Sequence, residues 1–155
     1  MYAAWDKLNE AVFGGRLPIS NAAEANIDLR NQVAAQDGKV VEVDHSRGSL
    51  TSANATKTQV LRGDLTVPLG SVTFNGAAAN AERMADIVRS ATAGTGLVFQ
   101  STHISDPVGA WIGGNSGTGG IPTWDVVGAH GAYGLNVNSA TLNKFWGAGK
   151  MDLRY

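Results

Sequence analysis

Lys39-Val40-Val41-Glu42-Val43 marks the place in this sequence where the spacing of apolar residues changes. Before it the spacing is helical. Residues 2–13 put Trp5, Leu8 and Val12 on one stripe, and Gly14-Gly15 supplies a left-handed stop. From Asn21, with Glu24 three residues on as in a capping box, a second helix is expected to about Gln36, aligning Ala22, Ala25, Leu29 and Val33 before Asp37-Gly38 ends it. From residue 39 onward alternation dominates. Thr58-Gln59-Val60-Leu61, Ser71-Val72-Thr73-Phe74, the run Leu97 to Ile104, Trp124 to Val127, Leu135 to Asn138 and Met151 to Arg154 all read as strands. Pro68 lacks a ladder donor and puts Thr66 to Leu69 at an edge or a bulge. One further helix, Ala77 to Ala93, lines up Ala77, Ala81, Met84, Val88 and Ala91 before Gly94. With no regular alternation of strand and helix, the expected fold class is α+β: an antiparallel sheet or small β-barrel with about three helices, mostly in the N-terminal 93 residues. The chain reads as a single domain, 1–155, with an N-terminal helical arm at about 1–36.

Composition narrows the function classes. Twelve Lys and Arg oppose 13 Asp and Glu for a net charge of -1, and no basic cluster exists to neutralise phosphates, so no nucleic-acid partner is expected. The absence of cysteine removes disulfides, thiolate metal sites and thiol nucleophiles. An acid at Asp6 interrupts the opening residues, and the uncharged stretch Pro107 to Trp124 is broken by six glycines and two prolines. Neither a signal peptide nor a membrane span is therefore expected. Charged residues make up 16% of the chain against roughly 25% in ordinary soluble domains. A surface so poor in charge is expected to be covered in part by protein partners. Asn54-Ala55-Thr56 matches a glycosylation sequon, which has no use without a secretory route.

Several short segments bear on chemistry. The run Gly113-Gly114-Asn115-Ser116-Gly117-Thr118-Gly119-Gly120 is dense enough in glycine to cradle an anion, but lacks the lysine of a phosphate loop and reads as a turn or a contact between subunits. Gly114-Asn115-Ser116-Gly117 resembles the nucleophile turn of trypsin-like serine proteases, which makes Ser116 the candidate nucleophile. An enzyme would require Ser116 or one of His45, His103 and His130 to have a hydrogen-bonded acid–base partner. Leu8 to Pro18 resembles the opening helix and turn of SprT-like zinc peptidases, but the zinc-binding His-Glu-x-x-His of that family is absent. Carboxylates adjoin histidines only in Asp44-His45 and in His103-Ile104-Ser105-Asp106, so neither metal nor cofactor is expected. Arg62-Gly63-Asp64 reads as a tight turn between strands rather than an adhesion site. Gly109-Ala110-Trp111-Ile112-Gly113-Gly114 with Trp124-Asp125 resembles the Gly-Trp loops of jacalin-like lectins. That makes Asn115, Ser116, Trp124 and Asp125 a candidate ligand loop.

The C-terminal run carries Phe145, Trp146, Met151, Leu153 and Tyr155, too apolar for a free tail, and is expected to lie as an edge strand or on a neighbouring subunit. Low charge, abundant Ala, Gly, Asn, Thr and Ser, no cysteine and apolar ends resemble small bacteriophage virion proteins, the capsid decoration or tail components. That resemblance implies a structural role in a virion, with copies of itself and other assembly proteins as partners and Trp5, Trp111, Trp146 and Tyr155 as interface anchors. The alternative is a β module binding a glycan or small ligand, and an enzyme ranks third.

Overall fold

The computed structural model describes residues 4, 7–9, 18–63, 67–133, 137–147, 149–150 and 152–155. Helix α1, Asn21–Ala34, starts one residue before the expected cap: Ser20 Oγ accepts the Ala23 N–H. Glu24 forms no capping box and instead takes a two-pronged ion pair from Arg62. The expected stripe is also rotated, since α1 buries Ala23, Ile27 and Arg30 while Leu29 is exposed. The cause is Arg30, which enters the interior to meet a buried acid.

Strand β1, Val40–His45, helix α2, Gly48–Arg62, strand β2, Leu69–Asn75, helix α3, Ala81–Ala91, and strand β3, Leu97–Ser101, follow in order. The spatial order is β1-β2-β3-β4, with β1, β2 and β3 parallel and the two-residue β4, Leu153–Arg154, antiparallel to β3. The chain is thus α+β in composition, but the sheet is mixed and open, neither antiparallel nor a barrel. The misreading traces to Thr58-Gln59-Val60-Leu61, which forms the last full turn of α2 and not a strand. Its β-branched residues favour a strand locally, but small side chains at Ser49, Ser52, Ala53 and Ala55 let α2 bury itself against the sheet and α1. A parallel pair needs such a crossover, and α2 and α3 supply the two.

The C-terminal third is also more helical than alternation implied. Trp124 to Val127 is not a strand: Asp125 accepts the Gly128 N–H and starts helix α4, Val126–Gly131. Asn138 caps helix α5, Ser139–Trp146, while Leu135 and Asn136 lie outside the described residues. A π-helical turn covers Val108–Ile112. The expected helix over 77–93 is shorter, starting at the cap Asn80, and its apolar face is buried as expected. Around Pro68, Val40 pairs with Leu69 but Val41 with Ser71, so Gly70 bulges out of a central strand. Arg62 ends α2 and Gly63 is its left-handed cap, while Asp64 is outside the described residues.

The main core lies where α2 and α3 cover one sheet face, with Leu50, Ala53, Val72, Phe74, Met84, Val88 and Val98 in contact. On the other face Val41 and Val43 of β1 are 70% and 58% exposed. Between α1, β1 and α2 the interior is polar. The fully buried Arg30 guanidinium donates to both Glu42 oxygens at 2.8 and 2.9 Å and to Ser52, Thr56 and Gln59. Replacing Arg30 with Ala strands the Glu42 carboxylate in this interior. Urea unfolding should show a loss on the order of 3–5 kcal/mol, whereas the double change Arg30→Met with Glu42→Leu should lose far less.

Candidate functional site

The parallel strands end level with one another: His45 pairs with Asn75, and Asn75 with Ser101. Past that line the backbone steps on in order, Ser46 N–H donating to Asn75 O and Gly76 N–H to Ser101 O. The C-terminal ends of parallel strands are where open α/β sheets gather ligands, because the chain turns away there and leaves a crevice.

Ser46 fills the turn between β1 and α2. Its φ is +52°, a left-handed conformation costing a non-glycine residue on the order of 1–3 kcal/mol. The other two described non-glycine residues with positive φ, Asp37 and Ala93, follow helix ends, where such a residue closes the last turn. Ser46 instead joins a strand to a helix N-terminus. Asp44 and Gly48 flank it closely, a Cβ built on Gly48 lying 3.8 Å from Asp44 Oδ1. The local sequence Asp44-His45-Ser46-Arg47-Gly48 has the Ser-x-Gly half of the strand–serine–helix turn that exposes a hydroxyl in many hydrolases, with Asp44 where the first glycine usually stands.

Asp106, just past β3, is the hub of a second cluster of polar side chains. His130, on α4, donates its Nδ1–H to Asp106 Oδ1 at 2.9 Å, and the buried Tyr133 hydroxyl donates to Oδ2 at 2.7 Å. The N–H groups of Val108 and Gly109 also reach Oδ1. Burial pushes the Asp106 carboxyl up, but bonds from His130, Tyr133 and Gly109 outweigh it and hold the group below the ordinary carboxylate range. Tyr133 is pushed well above the usual phenol range by burial and by the Asp106 charge, so it keeps the proton it donates. Because Asp106 can only accept, His130 carries its proton on Nδ1 when neutral and leaves the Nε2 lone pair available. The His45 ring stacks on His130 at 4.7 Å and donates its Nε2–H to the His130 carbonyl. Gly76 makes room for this cluster, since a Cβ there would lie 2.5 Å from Asp106 Oδ2 and 2.7 Å from the Tyr133 ring.

His103 is different. It is fully buried, donates Nε2–H to Phe145 O and accepts the Ser105 N–H on Nδ1, so both nitrogens are occupied structurally. Among the described residues no group of three His, Asp or Glu could hold a metal ion, and no helix is long and apolar enough to cross a membrane.

Of the residues singled out in the sequence, Trp111 and Trp124 are 84% and 100% exposed. Trp146 is buried in its own chain, its Nε1–H donating to Ala132 O, and Trp5 lies outside the described residues. Tyr155 packs on the main core and its N–H extends the sheet to Val98 O, so the tail forms an edge strand. Asn115 is buried and clasps Ala77 O, Ala79 O and the Ala81 N–H, a structural role that leaves it nothing to offer a ligand. Ser116 is exposed and its carbonyl holds Gln100, while Asp125 caps α4 and pairs with Lys144. The structure therefore does not gather Asn115, Ser116, Trp124 and Asp125 into one polar site. Near that loop a cavity of about 140 Å³ is lined by Gly117, Thr118, Asp152 and Leu153, none of them part of the cluster around Asp106.

Sequence reasoning missed Ser46 as a candidate. The signal for it, a strand-like run ending in Ser-x-Gly, carries weight only when a helix follows, and the residues after Ser46 show no clear helical period. Comparison of the sequence and the structure with family models, characterised proteins and solved structures finds no match.

Asp44, below the Ser46 turn, is largely buried, and its Oδ2 is without a hydrogen-bond partner. Burial, then the Glu42 charge, push its carboxyl from 3.8 to about 7, with Ser52 and Arg30 opposing. The folded chain therefore holds the Asp44 proton more tightly than the unfolded chain. Its stabilising contribution is complete below pH 4 and is lost as pH rises through 7. Asp44→Asn should accordingly raise stability at pH 8 to 9 by on the order of 3 kcal/mol, a gain that shrinks toward pH 4 in thermal unfolding scans.

Proposed function

We propose that this chain is a serine hydrolase acting on an acyl bond, with Ser46 as nucleophile, His130 as general base and acid, and Asp106 orienting His130. The observation that carries the reading is the left-handed Ser46 in the turn between β1 and α2, next to His45, whose ring stacks on the His130 that pairs with Asp106. Strain of this kind is kept where function needs it, and the chain order Ser, Asp, His suits a nucleophile borne on a strand-to-helix turn.

In the reaction Ser46 Oγ attacks the acyl carbonyl as its proton passes to His130 Nε2. Asp106 keeps the ring in the correct tautomer and stabilises the imidazolium, and Tyr133 and Gly109 hold Asp106. The N-terminal end of α2 presents partial positive charge to the developing oxyanion. His130 then returns the proton to the leaving oxygen. Water, deprotonated by the same Nε2, cleaves the acyl-enzyme and restores Ser46. No cofactor enters this sequence.

A fluorophosphonate probe should label the protein at Ser46, and Ser46→Ala should abolish both labelling and ester hydrolysis. His130→Ala and Asp106→Asn should lower the rate about 10³- to 10⁴-fold. Ser46→Gly should be equally inactive yet unfold at the same or a higher midpoint, because glycine adopts the positive φ without strain. Labelling at another serine, or hydrolysis that survives Ser46→Ala, would sink the reading.

A second reading is a structural component of a multicopy assembly such as a virion, supported by the exposure of Trp111 and Trp124. Light scattering of the untagged protein across a concentration series should then give a defined oligomer whose mass falls on Trp124→Ser. A monomer at every concentration argues against this reading and against a binding partner in its own copies.

A further inference from the structure

We propose that the side chains of Lys150 and Asn75 join in an amide bond made by the folded chain itself, with loss of ammonia and with Asp152 as the proton carrier. This does not rest on the hydrolase reading. Lys150 Nζ donates to Asn75 Oδ1 at 2.7 Å. The side-chain carbonyl carbon Cγ is one bond further on, so Nζ lies within about 4 Å of the atom it would attack. The Asp152 carboxylate is 3.4 Å from the same Nζ. An amine, a carboxamide and a carboxylate therefore meet at one point. By contrast, Lys144 Nζ meets a carboxylate and Lys7 Nζ a main-chain carbonyl.

The two partners are held in place by the fold. Asn75 is 4% exposed and ends β2, paired with His45 of β1 on one side and Ser101 of β3 on the other, and its main-chain oxygen accepts the Ser46 N–H. Lys150 lies between α5 and β4, its side chain 25% exposed. Holding an amine against an amide in one geometry replaces the high concentration that the same reaction needs in solution. The tail that the bond anchors has little else to fix it. Strand β4 joins β3 through two residue pairs, and the chain has no cysteine with which to staple it. A link between residues 75 apart closes a long loop, and such a closure removes much of the freedom of the unfolded chain.

The step balances without an added reactant. The Lys150 ammonium passes one proton to Asp152, and the freed electron pair of Nζ forms the bond to Asn75 Cγ. Nζ then gives up a second proton, and the Cγ–Nδ2 bond breaks with its electron pair going to Nδ2. The leaving nitrogen takes up both protons through Asp152 and departs as ammonium. The new amide keeps one N–H, Asp152 is again a carboxylate, and nothing is oxidised or reduced.

The test is the intact mass of the wild-type protein, measured unfolded in acid, together with its tryptic peptide map. The expected mass is about 17 Da below that of the sequence, the deficit of one ammonia. The map should show residues 63–83 joined to residues 145–154, uncut after Lys150 because trypsin needs the free amine there. Lys150→Arg keeps a cation and a donor at this place but cannot make the bond. It should have its full mass and melt on the order of 10 °C below the wild type. Asp152→Asn, at an exposed position, should join slowly or not at all. The full mass in the wild type, both as purified and after prolonged incubation, overturns the inference. The same deficit surviving in Lys150→Arg, or present without the joined peptides, is a succinimide at Asn75-Gly76 and also overturns it. Joining that is undiminished in Asp152→Asn overturns the part given to that carboxylate. Labelling of Ser46 is independent of all these outcomes, so the hydrolase reading stands or falls separately.

Discussion

The buried guanidinium of Arg30 is the constraint on which the rest of the architecture depends. It reaches from α1 to Glu42 in β1 and to Ser52, Thr56 and Gln59 in α2, so one side chain fixes three elements against one another. A polar group in such a place either satisfies all its donors or destabilises the fold. Here the geometry is complete: both Glu42 oxygens are used, and the Ser52 hydroxyl donates to one of them. The strand and helix it ties together are joined by a two-residue turn in which Ser46 has a positive φ.

A second hub, Asp106, organises the chain just past β3 by the same rule. Its two oxygens accept from His130, Tyr133 and two backbone N–H groups, which draws α4, the π-helical turn and the end of β3 together. Tyr133 also takes the His103 N–H, and His103 in turn holds Phe145, so the small C-terminal cluster of Ala129, Tyr133, Phe145 and Trp146 is built around the supports of the acid. Packing and electrostatics cooperate here. Gly76 permits it by leaving no side chain between the end of β2 and the carboxylate.

How much of this was legible in the sequence follows the range of the interactions. The apolar stripe of α3 and the β1, β2 and β3 segments are legible because each follows its own burial pattern, whereas the exposed two-residue β4 is legible only from the apolar residues around it. Helix α2 is not legible. Its threonines and valine favour extended chain locally, and only the sheet and α1 closing around its small residues make the helix the better solution. A strand at Thr58–Leu61 hides the crossover that α2 provides, and without crossovers the sheet reads as antiparallel.

The sequence by itself determined the class of the chain: a cysteine-free α+β protein of net charge -1 with no cluster of Lys and Arg in its sequence. It also held the criterion for chemistry, that a histidine must find an acid. Only the tertiary structure decided which one. His130 and Asp106 are 24 residues apart and His103 lies nearer to that acid in sequence, yet hydrogen-bond geometry gives the pairing to His130 and closes both nitrogens of His103. The reason is physical. Periodicity reports which side of an element is buried, whereas a catalytic arrangement depends on where the ends of separate strands arrive, and that is set by long-range packing.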